Sequence, residues 1–155
     1  MTGKELLMLS YLIDGNNLIG KINYLKKLGK KDKQATREKL VLMVDKYFRG
    51  SKNKAIVHFD GFPGDAIRAN KIRIIYSEKK TADDTIRRDI ELSDNPRNIV
   101  LVTSDHSLAE FARVCSSKVI TSEEFASLIQ KQGSNTEEER INSINIDEIK
   151  KLFGA

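Results

Sequence analysis

The sequence is poor in the residues that build cross-linked, membrane-spanning or zinc-binding proteins. Its single cysteine, Cys115, cannot form an intramolecular disulfide. No apolar run approaches the roughly 20 residues of a membrane helix, and the N-terminus carries no long apolar leader. The histidines, His58 and His106, and the one cysteine form no ligand cluster of the kind that zinc prefers. We therefore expect a soluble cytoplasmic protein with no membrane partner.

The length and charge of the chain favour one domain that meets an anionic partner. It has 155 residues, of which 39% are hydrophobic, enough for a packed core. The net charge is +5, and residues 21–39 hold eight basic residues against two acidic ones, a local charge of +6. A phosphate backbone would be attracted to such a surface. The alternative is an ordinary solvated face without a partner.

Short apolar runs alternate with helical patterns along the chain. The runs at 9–13, 55–59, 72–76 and 99–102 predict strands, and a fifth is expected at 118–121. The run at 72–76 alternates more with polar residues and could lie towards an edge. Helical spacing follows between these runs, most clearly in the apolar stripe from Leu40 to Phe48 that Gly50 ends. This alternation predicts a three-layer α/β/α domain with a mostly parallel sheet of four or five strands.

The C-terminal part of the chain differs in composition from the rest. Residues 134–143 are polar, acidic and poor in large apolar residues, whereas residues 146–153 have the spacing of a short amphipathic helix. We therefore divide the chain into a domain at 1–132, a flexible linker or loop at 133–145, and a helix at 146–155 that docks on the domain.

Aspartates follow the predicted strands at the point where each strand ends. Asp14 follows the first strand, Asp60 the second, and Asp105 the fourth, while Asp83 and Asp84 open the helix after the third. In open α/β sheets, ligands bind outside the carboxyl ends of the strands. The sequence thus predicts that these carboxylates gather at one edge of the sheet.

Carboxylates that share a cleft repel one another, and a divalent cation removes that penalty. Oxygen ligands suit Mg²⁺ or Mn²⁺, and such an ion can activate water and stabilise charge on a phosphoryl group. Each aspartate also has a purely structural alternative. Asp14 and Asp60 each precede a glycine and could be turn residues, and Asp83 and Asp105 could be helix N-caps.

Three motifs resemble one family. DGNNLIG, which begins at Asp14, is similar to the DGYNLIG opening of the YacP-like branch of NYN domains, which are PIN-like nucleases. YSEKKTADDTI resembles the family segment that ends in TAD, and LVTSDHSLAEFAR resembles its TSD segment; these matches carry metal-binding roles to Asp83 and Asp105. The closing KKLFG is similar to the end of those proteins. Asn16 departs from the pattern, because the family often has an aromatic residue there.

The resemblance implies a PIN-like fold, a Mg²⁺ or Mn²⁺ site and cleavage of single-stranded or unpaired RNA. Asp14, Asp83 and Asp105 are the expected catalytic and metal-binding residues, with Asp60 and Asp84 as further candidates for metal ligands. Asn17 could hold a metal-bound water or simply be a turn residue. The candidates for RNA contact are basic residues in the 21–39 segment and beyond it: Lys26, Lys27, Lys30, Lys31, Arg68, Lys71, Arg87 and Arg88.

Other functions stay open on the sequence alone. The chain could be an RNA-binding module with little or no nuclease activity, a DNA nuclease with a similar site, or a phosphohydrolase. Phe62 and Tyr76 could stack on bases or pack in the core. Association with the ribosome and the oligomeric state are not indicated by any residue pattern.

Overall fold

The computed structural model describes residues 8–133, in which five parallel strands alternate with six α-helices. The strands are β1 Ser10–Asp14, β2 Lys54–Phe59, β3 Arg73–Tyr76, β4 Ile99–Val102 and β5 Lys118–Ile120. The helices are α1 Gly15–Ile19, α2 Asn23–Gly29, α3 Lys33–Phe48, α4 Ala82–Leu92, α5 His106–Val114 and α6 Ser122–Gly133. A short 3₁₀ turn, Pro96–Asn98, leads into β4.

The sheet order is β3-β2-β1-β4-β5, and every neighbouring pair is parallel. The chain builds outward from β1 in one direction through β2 and β3, and then crosses to the other side of β1 for β4 and β5. The strand order therefore reverses between β1 and β4, which is where open α/β sheets form their ligand crevice. The predicted parallel sheet is confirmed, and the run at 72–76 does form an edge strand.

Two apolar layers cover the sheet because successive strand residues point to opposite faces. Ile13 and Val57 face the layer made by α1, α2, α3 and α6. Leu12 and Leu101 face the layer made by α4 and α5. The result is the three-layer α/β/α arrangement that the alternating pattern predicts.

The segment between β1 and α3 is more helical than the sequence pattern indicates. The helices α1 and α2 have five and seven residues, too few to show a clear helical period. The long helix α3 begins well before its apolar stripe, because the side chain of Asp32 accepts a hydrogen bond from the N–H of Ala35 at 2.9 Å and caps it.

Part of the predicted domain organisation lies outside the described residues. This applies to residues 1–7, to nearly all of the 133–145 linker, and to the C-terminal helix at 146–155. Within residues 8–133, no helix is long and apolar enough to cross a lipid bilayer.

Candidate active site at the carboxyl edge of the sheet

The centre of the candidate site is Asp14, the last residue of β1. Its Oδ2 accepts a hydrogen bond from Thr103 Oγ1 at 2.9 Å, and the same hydroxyl oxygen accepts the N–H of Asp105 at 3.1 Å. Asp105 in turn caps α5, because its Oδ1 accepts the N–H of Leu108 at 2.8 Å. One buried threonine thus joins the ends of β1 and β4 and sets the positions of two of the predicted aspartates.

The glycine after Asp14 is required by close packing. A Cβ atom on Gly15 would lie 2.8 Å from the carbonyl oxygen of His58 and 2.8 Å from the ring of Phe59. Any side chain at this position would push α1 away from β2. The Asp-Gly pair therefore begins a helix that packs closely on the sheet, and it is not a surface turn.

Asn17 ties the beginning of α1 to the neighbouring loops. Its Oδ1 accepts hydrogen bonds from the N–H of Ser104 at 2.9 Å and from Ser122 Oγ at 2.6 Å. These contacts hold the loop after β4 and the first residue of α6 beside Asp14. Asn17 therefore stabilises the local structure, and its catalytic role stays a prediction.

Asp60 links the end of β2 to the start of α4. Its Oδ1 accepts the N–H of Ala82 at 2.7 Å, and its own N–H donates to Asn16 Oδ1 at 3.0 Å. A carboxylate at this position is favourable, because unpaired N–H groups and the positive end of the helix dipole lie at a helix N-terminus. Asp60 therefore brings α4, with its two aspartates, to the same edge of the sheet.

The two aspartates of α4 are engaged within their own helix. Asp84 forms a capping box with Thr81: its Oδ2 accepts the Thr81 N–H at 3.2 Å, and its N–H donates to Thr81 Oγ1 at 3.1 Å. Asp83 accepts Arg87 Nε at 2.5 Å. Arg87 also donates to Ser107 Oγ at 3.1 Å and lies 4.8 Å from the centre of the Phe111 ring.

The carboxylates of the edge affect one another electrostatically. Burial raises the pKa of Asp14, and the negative charges of Asp60 and Asp105 raise it further, against hydrogen bonds from Thr103 and Asn17 that lower it. The three acids are thus close enough for their charges to interact. Among residues 8–133, however, no three Asp, Glu, His or Cys side chains stand close enough to bind one metal ion together.

Most of the predicted RNA-contacting residues are exposed. Lys26 and Lys27 lie on α2, and Lys30 and Lys31 in the turn before α3. The exposed residues Arg68 and Arg88 and the partly buried Lys71 lie elsewhere on the surface. Arg37, which contributes to the +6 charge of the 21–39 segment, is buried at 6% exposure, so that part of the expected surface charge is missing.

Two residues near the edge were not selected from the sequence. Buried Arg37 donates to the carbonyl oxygens of Asp60 at 2.7 Å and Phe62 at 3.0 Å, and so holds the loop after β2. Glu123, in the first turn of α6, forms a short hydrogen bond with Ser104 and adds a carboxylate near the end of β5. Arg37 lies among lysines, and nothing in the sequence indicates that it is buried. Glu123 follows a predicted strand closely, and this position could have identified it as a residue of the site.

Comparisons with known proteins agree with this fold. The family model of the YacP-like NYN domain matches residues 11–152. The crystal structure of a mutant of Rae1 (YacP) from Bacillus subtilis has a TM-score of 0.70 and 22% identity, over 88% of this chain and 82% of that one. A second Rae1 (YacP) structure from Bacillus subtilis has a TM-score of 0.67 and 22% identity, and the match covers 95% of this chain and 93% of that one. No curated protein sequence is significantly similar to the chain. Because the family model covers most of its length, the chain belongs to the YacP-like NYN domain family.

Proposed function

We propose that this chain is a metal-dependent endoribonuclease that hydrolyses phosphodiester bonds in single-stranded or unpaired RNA. The observation that carries the proposal is the arrangement of Asp14, Asp60 and Asp105 at the ends of β1, β2 and β4, around the point where the strand order reverses. Membership of the YacP-like NYN family supports RNA as the substrate, because the sequence motifs resemble those of nucleases that cleave RNA.

The donor set suits Mg²⁺ or Mn²⁺. All candidate ligands are carboxylates, which hard ions prefer. No three of the described side chains form a complete ligand set, but Mg²⁺ usually keeps several waters and needs only one or two protein carboxylates. Asp14, with Asp105 and Asp60 beside it, would hold such an ion. Asp83 and Asp84 would contribute through water or after leaving their present partners. A bound ion would activate water and neutralise charge on the phosphoryl oxygens.

The remaining residues of the edge position these groups. Thr103 orients the carboxylate of Asp14 and fixes the main chain of Asp105. Asn17 holds Ser104 and Ser122 through hydrogen bonds, so the loop after β4 and the start of α6 stay in place beside Asp14. Hydrolysis by water requires no protein nucleophile, and its products would carry 5′-phosphate and 3′-hydroxyl ends.

The exposed lysines of α2 and of the turn before α3 are proposed to hold the RNA backbone. Lys26, Lys27, Lys30 and Lys31 are exposed and lie in the same short stretch of chain. Arg68 and Arg88 are exposed and available to phosphate as well. Arg87 would serve the substrate only by exchanging its contact with Asp83. Binding that depends on such charges weakens steeply as salt is added.

Two other functions compete with this one. An RNA-binding module without activity would gain nothing from carboxylates placed beside phosphates, so the acidic edge favours the enzyme. A DNA nuclease could use the same acids, and only the family resemblance favours RNA. We expect the enzyme to act in the cytoplasm, and binding to ribosomes can be tested by co-sedimentation.

A cleavage assay tests the proposal. A labelled unstructured RNA is incubated with Mg²⁺ or Mn²⁺, with EDTA, and with the Asp14→Asn and Asp83→Asn proteins. We expect cleavage with either ion, none with EDTA, and a loss on the order of a thousand-fold for Asp14→Asn. Asp94→Asn is the matched control, because Asp94 lies at the opposite end of the sheet, beside the start of β4.

Several outcomes would contradict the proposal. Cleavage that survives EDTA, or that survives both substitutions, would exclude a metal-bound carboxylate site. Products with 2′,3′-cyclic phosphate would show attack by the RNA hydroxyl in place of water. Salt-sensitive RNA binding without cleavage of any RNA would favour the inactive RNA-binding module.

A further inference from the structure

Phe62 stands out as a large apolar residue in solvent beside the site. It follows Asp60 by two positions in the loop after β2, and 59% of its surface is exposed. Single exposed apolar residues are common on proteins, so exposure alone indicates nothing. The backbone that carries Phe62, however, is held in place by several hydrogen bonds.

The loop is fixed at Phe62 and at the two residues before it. Arg37 donates to the carbonyl oxygens of Asp60 at 2.7 Å and Phe62 at 3.0 Å. The N–H of Gly61 donates to Ser77 Oγ at 2.9 Å, and Gly61 has a φ of +87°, a conformation that favours glycine. These hydrogen bonds fix the backbone of the loop, while more than half of the Phe62 surface faces solvent.

Arg37 is itself held by packing. Its guanidinium lies 5.3 Å from the centre of the Phe59 ring and 5.2 Å from that of Tyr76. A buried cation between two rings is a costly way to fix two carbonyl groups unless the position of the loop matters. The arrangement separates the roles of the aromatic residues: Phe59 and Tyr76 belong to the core, and Phe62 does not.

The same loop is held against the beginning of α3, near the basic turn. Gln34 Nε2 donates to the carbonyl oxygen of Asp65 at 3.0 Å. The exposed lysines Lys30, Lys31 and Lys33 lie within four residues before Gln34, with Asp32 among them. An exposed ring on a loop that contacts the start of α3, next to a lysine-rich turn, matches the pairing of aromatic and basic side chains by which proteins bind single-stranded nucleic acid.

We propose that Phe62 is a stacking platform for one unpaired nucleobase of the RNA whose backbone lies at the carboxylate edge, so that the site selects single-stranded over paired RNA. The inference rests on the proposed function and names a residue that sets its substrate class. An aromatic ring recognises the flat face of any base, and this selects unpaired bases without selecting a sequence. In a duplex the faces of the bases are covered by their neighbours.

A binding experiment tests the role of Phe62 apart from cleavage. Affinities for a fluorescent single-stranded RNA, and for the same RNA in a duplex, are measured in an Asp14→Asn background that does not cut the probe. We expect Phe62→Leu to weaken single-strand binding about ten-fold, Phe62→Tyr to restore it, and duplex binding to stay unchanged. Leu42→Ala is the control, because Leu42 is exposed to a similar extent, at 55%, on α3.

Equal single-strand affinity of Phe62→Leu and its parent would overturn the inference, as would an equal loss of duplex binding. A cleavage assay then separates the two proposals. With active protein, Phe62→Leu should raise KM with little change in kcat. Cleavage with an unchanged preference for single strands would contradict the stacking role and leave the nuclease intact. Stacking without any cleavage would support the role of Phe62 and contradict the nuclease.

Discussion

Two aspartates, Asp14 and Asp45, show how differently the fold treats the same side chain. Asp45, in α3, is 5% exposed, and its carboxylate accepts the N–H groups of Lys71 at 2.7 Å, Ile72 at 3.0 Å and Asn70 at 3.3 Å. Burial acts to raise the pKa of Asp45, but these donors outweigh it and hold the pKa below its ordinary value. Its charge is satisfied by the protein alone.

Asp14 is in the opposite situation. Burial and the charges of Asp60 and Asp105 raise its pKa, and hydrogen bonds from Thr103 and Asn17 do not compensate. The fold could have satisfied this carboxylate as it satisfies Asp45, with backbone N–H groups from a neighbouring loop. Instead it places further carboxylates beside it, which is what a cation site requires. Asp45 therefore stabilises the fold, whereas Asp14 has the environment that the proposed cation site would need.

The largest effect is expected at Asp45. Asp45→Asn keeps the shape but leaves at least one buried N–H without its charged acceptor, and should lower the free energy of unfolding by about 2–3 kcal/mol at pH 7. Because the folded-state pKa lies below the unfolded value of about 3.9, this contribution is present above pH 4 and is lost as the pH falls through the folded-state pKa. Urea unfolding at several pH values should show the two proteins converging in acid. A constant difference down to low pH would contradict this account.

A smaller effect is expected at the threonine that orients Asp14. Thr103→Val keeps the shape of a residue that is 1% exposed and removes both hydrogen bonds of the hydroxyl. Removing a partner that orients a metal ligand typically reduces activity by about ten- to a hundred-fold, and kcat should fall by that factor while RNA binding stays unchanged. Thr103→Ser should recover most of the rate. An active valine variant would show that the orientation of Asp14 does not matter.

For Asp14 itself, we expect a gain in stability. Asp14→Asn removes a charge that the metal-free protein does not satisfy, and should raise the free energy of unfolding by about 1 kcal/mol in EDTA while cleavage is lost. The comparison with Asp45→Asn is direct, because the same substitution should act in opposite directions at the two positions. Thermal unfolding of both variants measures this. If Asp14→Asn destabilises the protein as Asp45→Asn does, both aspartates are structural.

The smallest effect concerns Arg87, which competes for Asp83. Ion pairs near the surface contribute little, about 0.2–1 kcal/mol, and the Arg87–Asp83 pair is partly exposed, so Arg87→Gln should tighten Mn²⁺ binding only about two- to five-fold by freeing the carboxylate. Arg88→Gln removes a neighbouring charge and serves as the control. Calorimetric titration with Mn²⁺ distinguishes them. Weaker binding in Arg87→Gln would mean that the arginine supports the metal site.

Much of this organisation could be predicted from the sequence. The buried strands read as apolar runs, and the aspartates at the ends of β1, β2 and β4 were predicted because parallel strands end at one edge. The short helices α1 and α2 could not be predicted, since so few residues show no period.

Side-chain partners were also beyond prediction. Asp83 and Asp84 resemble each other in sequence, yet one pairs with Arg87 and the other caps a helix. Arg37 looks like one more surface cation, and only the packing of Phe59 and Tyr76 around it shows that it is buried. The partners and the burial of these side chains depend on residues that are distant in the chain.

The most direct test of the central claim is the position of a bound ion. Crystals soaked in Mn²⁺ and measured near the manganese absorption edge would locate it by anomalous scattering. We predict a peak at the carboxyl edge of the sheet, with Asp14 as a direct ligand and Asp60 and Asp105 beside it. A peak elsewhere, with none near these carboxylates at saturating Mn²⁺, would contradict this prediction.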